Sequence, residues 1–218
     1  MFAYFDIETD GLDAHACAFK CGVVHIDETF HQFVDAVKMA GFLEEISHRA
    51  TIVSFNGVSF DFQVLAHKAP PPLSQAMAEI ANSSAHIDIM FAFAAAHGYY
   101  ASMQSFAESL DLSKTWDGKS AAESTDIAAV IEYCKQDVTV LQKVHAASMQ
   151  SGKLCRNSAA GRKMTWVLPA GKGPRSVSLV IADLAIIQPN QTWMSKPPKL
   201  PQALNGWTVP LLVSSSPQ

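Results

Sequence analysis

Residues 2–11 read FAYFDIETDG. Phe2 to Ile7 is a short apolar run that meets acids at its end, the pattern of a buried strand. Side chains alternate across a strand, so Asp6 and Glu8, two apart, point to the same face. An acid inside an apolar strand costs free energy unless it is paired or bound to a metal. Two carboxylates side by side also repel, and together they call for a cation. The simpler alternative, that the strand ends here and both acids are solvated, stays open on these ten residues alone.

Working outward, residues 17–27 (CAFKCGVVHID) and 30–36 mix β-branched and aromatic residues around a turn at Asp27-Glu28, giving two more strands, antiparallel to the first. Met39, Phe42, Leu43 and Ile46 follow at helical spacing within 38–49, and ATIVSFNG returns to a buried-strand pattern that stops at Asn56-Gly57. Helical patterns are expected over 58–68, halted by the prolines at 70–72, and over 73–82, 89–97 and 102–110. Residues 111–122 read as a loop, and Asp126 to Gln150 as a long amphipathic helix with Ser124 or Asp126 as its N-cap. Beyond Gly152 the chain turns basic and rich in Pro and Gly, with short strand-like runs at 164–168 and 176–181. The expected architecture is α/β, a mixed sheet flanked by helices, with residues 1–150 as one domain and 151–218 as a basic C-terminal extension.

Two further clusters carry acids. Asn56-Gly57-Val58-Ser59-Phe60-Asp61 follows a buried strand and opens a helix, the place where α/β sheets put functional groups. Tyr133 and Asp137 lie four apart on the late helix and share a surface patch. Each has a plain structural alternative: a turn with a first-turn acid that suits the helix dipole, and a core tyrosine beside an exposed acid.

In this order the three clusters resemble the motifs of the DEDD superfamily of 3′-5′ exonucleases, on the ribonuclease-H-like fold. Asp6 and Glu8 match D-x-E; Asn56, Phe60 and Asp61 match the second motif; Tyr133 and Asp137 match Y-x(3)-D. The tyrosine-containing (DEDDy) branch is favoured because position 132, where the other branch carries histidine, is Glu132. The resemblance covers roughly residues 1–148. Within the branch, SFNGVSFDFQVL, HIDIM at 86–90 and EYCKQDV look most like the exonuclease domains of family B DNA polymerases and free-standing bacterial and phage relatives. No polymerase fits in the remaining residues, so a stand-alone exonuclease is expected.

The resemblance implies hydrolysis of phosphodiester bonds from a 3′ end, releasing 5′-mononucleotides, with two divalent cations about 3.5–4 Å apart. Hard Mg²⁺ or Mn²⁺ suits an all-oxygen carboxylate site. It further implies that Asp6 bridges both ions, Glu8 and Asp137 complete the nucleophile-side ion, and Asp61 supports the leaving-group ion. Tyr133 would orient the attacking water or help deprotonate it. Thr9, Gly11 and Leu12 would contact the terminal nucleotide, and Asn56 and Phe60 the penultimate one. His86-Ile87-Asp88 and the aromatic stretch Phe91, Phe93, Tyr99 and Tyr100 read as structure rather than chemistry.

Composition sets the remaining bounds. With 49% hydrophobic and 17% charged residues among 218, the chain is globular. Cys17, Cys21, Cys134 and Cys155 are too few and scattered for a disulfide scaffold and read as small hydrophobes of a reducing cytosol. The N-terminus has no basic region before Asp6, against a secretory signal, and no apolar run reaches membrane-spanning length, so a cytoplasmic protein without a membrane partner is expected. The net charge of −4 conceals an asymmetry: residues 1–150 hold 8 Lys and Arg against 19 Asp and Glu, and residues 151–218 hold 8 against Asp183 alone. Lys153, Arg156, Arg162, Lys163, Lys172, Arg175, Lys196 and Lys199, with Trp166, Trp193 and Trp207 among them, have the composition of a surface that tracks phosphates and stacks bases. Packing of the tryptophans against the acidic domain is the alternative. The expected partner is single-stranded DNA or a 3′ overhang, with RNA possible. An exoribonuclease similar to RNase D and a non-catalytic single-strand-binding module are the rival readings.

Overall fold

The computed structural model describes residues 1–97, 99–112, 118–158, 160–168 and 173–184. Five strands form one mixed sheet in the order β3-β2-β1-β4-β5: β1 (Phe2–Thr9), β2 (Phe19–Ile26), β3 (Thr29–Phe33), β4 (Thr51–Ser54) and β5 (His86–Asp88). The first three are antiparallel neighbours, whereas β4 pairs parallel to β1 and β5 parallel to β4. Asp27 and Glu28 take φ of 51° and 61° between Ile26 and Thr29, the double left-handed step that a two-residue hairpin turn requires. The three-strand opening and the α/β class therefore agree with expectation.

Alternation along β1 splits the core into two layers. Ala3, Phe5 and Ile7 face one side with Val24, Ile26 and Ile52, where α1 (Ala36–Ser47), α2 (Asp61–Lys68) and α3 (Pro71–Ala81) bury Met39, Leu43, Phe62 and Met77. Tyr4 faces the other side with Cys21, Val23, Val53 and Ile87, under Cys134, Val138 and Leu141 of α7 (Ile127–Ser151). Asp6 and Glu8 share Tyr4's parity, so they too lie toward α7. Asp35 and Asp126 cap α1 and α7 through their carboxylates, and Gly152, at φ 65°, closes α7 in the left-handed conformation that glycine tolerates.

Four elements depart from the sequence reading. The helix α3 starts inside the triple proline at Pro71, because proline at the first turn loses no hydrogen bond there. Within the expected loop 111–122, Gly118–Glu123 forms the short helix α6, whose final carbonyls are met by Lys20 Nζ: it donates to the oxygens of Ala121 (3.1 Å), Ala122 and Ser124 (2.7 Å). That support comes from a residue about a hundred positions away. The run 176–181 is not a strand but belongs to the helix α8 (Val177–Leu184), where Val177 and Val180, three apart, are the buried pair. Short apolar runs do not separate the two periodicities. Finally, β6 (Lys153–Asn157) and β7 (Lys163–Val167) form a second, two-stranded sheet, of which only the latter strand is expected from the sequence. The helices α4 (Ile89–His97) and α5 (Met103–Glu108) complete the described elements.

Candidate active site

The parallel strands β1 and β4 run toward the same end of the sheet, where the last residues of β1 and the chain leaving β4 line one open cavity of about 480 Å³. Asp6 and Glu8 reach it from β1, Asn56, Phe60 and Asp61 from the β4–α2 connection, and Tyr133 and Asp137 from α7. Seven of the ten residues singled out in the sequence thus line one wall or another of a single space. Glu8, Asp61, Tyr133 and Asp137 are buried, at 8%, 4%, 3% and 6% exposure, which is costly for three carboxylates unless their charge is compensated.

The electrostatics follow from that crowding. Burial first, then the charges of Asp6 and Asp88, pushes the Asp61 carboxyl well above the usual range. Burial also raises the Tyr133 phenol, helped by the negative charges of Asp137, Glu8 and Asp6. Ligand atoms of Asp6, Glu8 and Cys134 lie within 4.8 Å of one another, and the Cys134 thiol points at the Asp6 backbone oxygen (3.4 Å). A set dominated by carboxylate oxygens, strained by mutual repulsion, fits a hard divalent cation.

The three remaining residues, Thr9, Gly11 and Leu12, are not among those lining the cavity. The Thr9 hydroxyl donates to the Gly11 carbonyl (2.7 Å), and Asp10 ties the loop across to Ala18 in both directions, by its backbone N–H and by its carboxylate. This leaves Leu12 at the loop tip, 95% exposed. Conversely, Met90, Tyr100 and Met103 form an apolar wall that sequence reading did not assign to the site. Of the aromatic stretch, Phe91 and Phe93 are core as expected, but Tyr100 is 48% exposed and faces the cavity. No period marks Tyr100 in the sequence, since it sits in a connection.

A family model of the RNase_H superfamily matches residues 3–148, two thirds of the chain and, apart from Phe2, all of the five-stranded sheet. The chain belongs to the RNase_H superfamily. That membership agrees with the mixed five-stranded sheet flanked by helices. Among solved structures, this RNase_H-superfamily chain is similar to the family B DNA polymerase from the hyperthermophilic archaeon Pyrobaculum calidifontis, at 13% identity and a TM-score of 0.51, over 67% of this chain and 24% of the polymerase. It is also similar to exonuclease I, at 11% identity and a TM-score of 0.46, over 68% of this chain and 40% of that one. The chain therefore spans about a quarter of the polymerase's length, and at such identity the likeness concerns the fold. No curated protein matches it.

The basic extension divides. Trp166 packs edge-on against His97 (5.2 Å between ring centres) and Phe93 (5.9 Å), and Arg156 stacks over Tyr99 at 5.1 Å while donating to its hydroxyl at 2.7 Å. Lys163 donates to the Ser109 carbonyl at 2.9 Å. These three pack against the domain. Lys172, Lys196, Lys199, Trp193 and Trp207 lie outside the described residues. No helix among the described residues is long and apolar enough to cross a membrane.

Proposed function

We propose that this protein is a metal-dependent 3′-5′ exonuclease of the DEDDy type that removes 5′-mononucleotides from the 3′ end of single-stranded nucleic acid, DNA in preference to RNA. The observation that carries the reading is the convergence of four acids and a tyrosine, from three distant segments, on one open cavity of an RNase_H-superfamily sheet. The order and residue types of the three motifs support the exonuclease branch of that superfamily.

Asp6, Glu8 and Asp137 would hold a cation on the side of the attacking water, and Asp6 with Asp61 a second on the side of the leaving 3′-oxygen. Such ions, Mg²⁺ or Mn²⁺, when bound supply charge neutralisation at the phosphate and a lowered pKa for the water. The raised Asp61 carboxyl keeps a proton at higher pH than an ordinary aspartate does, so cation uptake at this wall releases that proton and weakens as pH falls. Burial and its three acidic neighbours push the Tyr133 phenol up. Its hydroxyl would orient the attacking water or help to deprotonate it. Asn56 and Phe60 would seat the penultimate nucleotide, with Met90, Tyr100 and Met103 supplying apolar lining to the same cavity. Thr9, Gly11 and Leu12 remain proposed contacts for the terminal nucleotide, made by the loop beside the cavity.

The test is degradation of matched 3′-labelled DNA and RNA strands with Mg²⁺, Mn²⁺ or EDTA, by wild-type protein and by Asp6→Asn and Asp137→Asn. Each substitution is expected to lower the rate at least about 100-fold, as losing one transition-state contact commonly does, and EDTA to abolish it. Wild-type rates in either variant would refute the site, and binding without cleavage under every condition would favour a non-catalytic module.

A further inference from the structure

Asp88 ends β5 with no exposed surface and does not line the cavity. Its carboxylate is partnered by backbone N–H groups from two separate segments. One oxygen accepts from Asn56 and from Phe91, the other from Val58, each at 3.0 Å. Asn56 and Val58 belong to the connection that carries Asn56, Phe60 and Asp61; Phe91 lies in the first turn of α4, next in sequence to Met90, which also lines the cavity. We infer that Asp88 is the positioning residue of the active site, a buried carboxylate that locks the Asn56–Asp61 connection to the head of α4 and so sets where the Asp61 carboxylate stands across the cavity. The inference rests on the exonuclease reading for the role of Asp61, but the lock itself is independent of it.

Three features describe the anchored connection. Asn56 takes φ of 73°, a left-handed step that asparagine adopts more readily than other side-chain-bearing residues and that turns the chain from β4 toward α2. Phe60 and Phe62 donate their N–H groups to the Asn56 and Gly57 carbonyls, so the turn is closed on itself and moves as one piece with its anchored end. Burial raises the Asp88 carboxyl to about 6 in spite of these donors, which marks a charge kept at a cost. A carboxylate supplies acceptors at both oxygens, which the three N–H groups need. Asparagine presents a donor in place of one oxygen and would face an N–H with an N–H.

The experiment compares wild type, Asp88→Asn and Asp88→Glu by amide exchange, Mn²⁺ titration calorimetry and steady-state cleavage of a 3′-labelled strand. In Asp88→Asn the Asn56 and Val58 amides are expected to lose protection, Mn²⁺ affinity to fall about 10–100-fold, as for other groups that orient metal ligands, and kcat to fall in parallel while KM changes little. Asp88→Glu, which restores both acceptors, is expected to recover part of both losses. Unchanged Mn²⁺ affinity and kcat in a folded Asp88→Asn whose amides exchange freely would overturn the inference. Should Asp88→Asn not fold, the wild type decides: binding and anchoring are linked, so Mn²⁺ must slow exchange at Asn56 and Val58, and equal rates with and without it overturn the inference. A wild type that takes up no Mn²⁺ refutes the exonuclease reading itself, a result distinct from wild-type binding that is merely indifferent to Asp88.

Discussion

His145 is nearly fully buried beside Tyr4, whose hydroxyl meets its Nδ1 at 3.1 Å, and burial lowers its pKa from 6.5 to about 4. A base that is depressed in the folded state takes up its proton first in the unfolded chain. Its contribution to stability is therefore complete above pH 6.5 and is lost as pH falls through about 4, an amount of roughly 3 kcal/mol at full protonation. Asp61 and Asp88 work the other way, because raised carboxyls favour the folded state as pH falls. The difference between variants isolates the histidine: His145→Gln is expected to lose less stability than wild type between pH 6.5 and 4, measured by urea denaturation. Parallel pH profiles would contradict the burial argument. Asp6, Glu8, Asp61, Tyr133 and Asp137 were nominated in the sequence by the order of their three motifs, which resembles that of the DEDD exonucleases, since each cluster alone also had a plain structural explanation. Tyr100 and Asp88 were not, since an aromatic in a connection and an acid before a helix each have commoner explanations.

Among the elements, the β4–α2 connection is closely packed. A side chain at Gly57 would bring its Cβ to 2.7 Å from Ser54 Cβ and closer still to Ser54 Oγ, which pairs with His86 Nε2 at 2.8 Å. Gly57→Ala is expected to cost about 1–3 kcal/mol, read as a lowered thermal midpoint, and to reduce cleavage as Asp61 shifts. An unchanged midpoint would mean that Ser54 can move aside freely. Long, strongly periodic elements such as α1 and α7 were readable within a residue or two of their ends, with Asp126 as the cap. The short helices and the β6 strand were not. Gly118–Glu123 is held by the Lys20 ammonium, about a hundred positions away, and Lys153–Asn157 by antiparallel pairing with β7, which its own sequence pattern does not announce.

For the whole molecule, the boundary drawn at residue 150 is a change in composition, but the packing crosses it. Leu154 and Leu168 join the core under α7, while Val177 and Val180 pack with Val58 and Phe91. Each buried aliphatic side chain is worth about 1.5–3 kcal/mol, and four together approach the net stability of a typical domain. A fragment ending at residue 150 is thus expected to be insoluble or largely unfolded by circular dichroism. A soluble, cooperatively melting fragment that merely binds nucleic acid more weakly would instead assign the extension to substrate. The sequence by itself determined the class of fold and the succession of the long elements, because periodicity is a local property, and its resemblance to the DEDD motifs nominated the five residues of the catalytic proposal. The tertiary structure alone decided that those residues meet at one cavity, that Met90, Tyr100 and Met103 line it with them, that Asp88 joins the β4–α2 connection to α4, and that Arg156 and Trp166 pack rather than project. Each of these depends on contacts between segments far apart in the chain, on which local patterning carries no information.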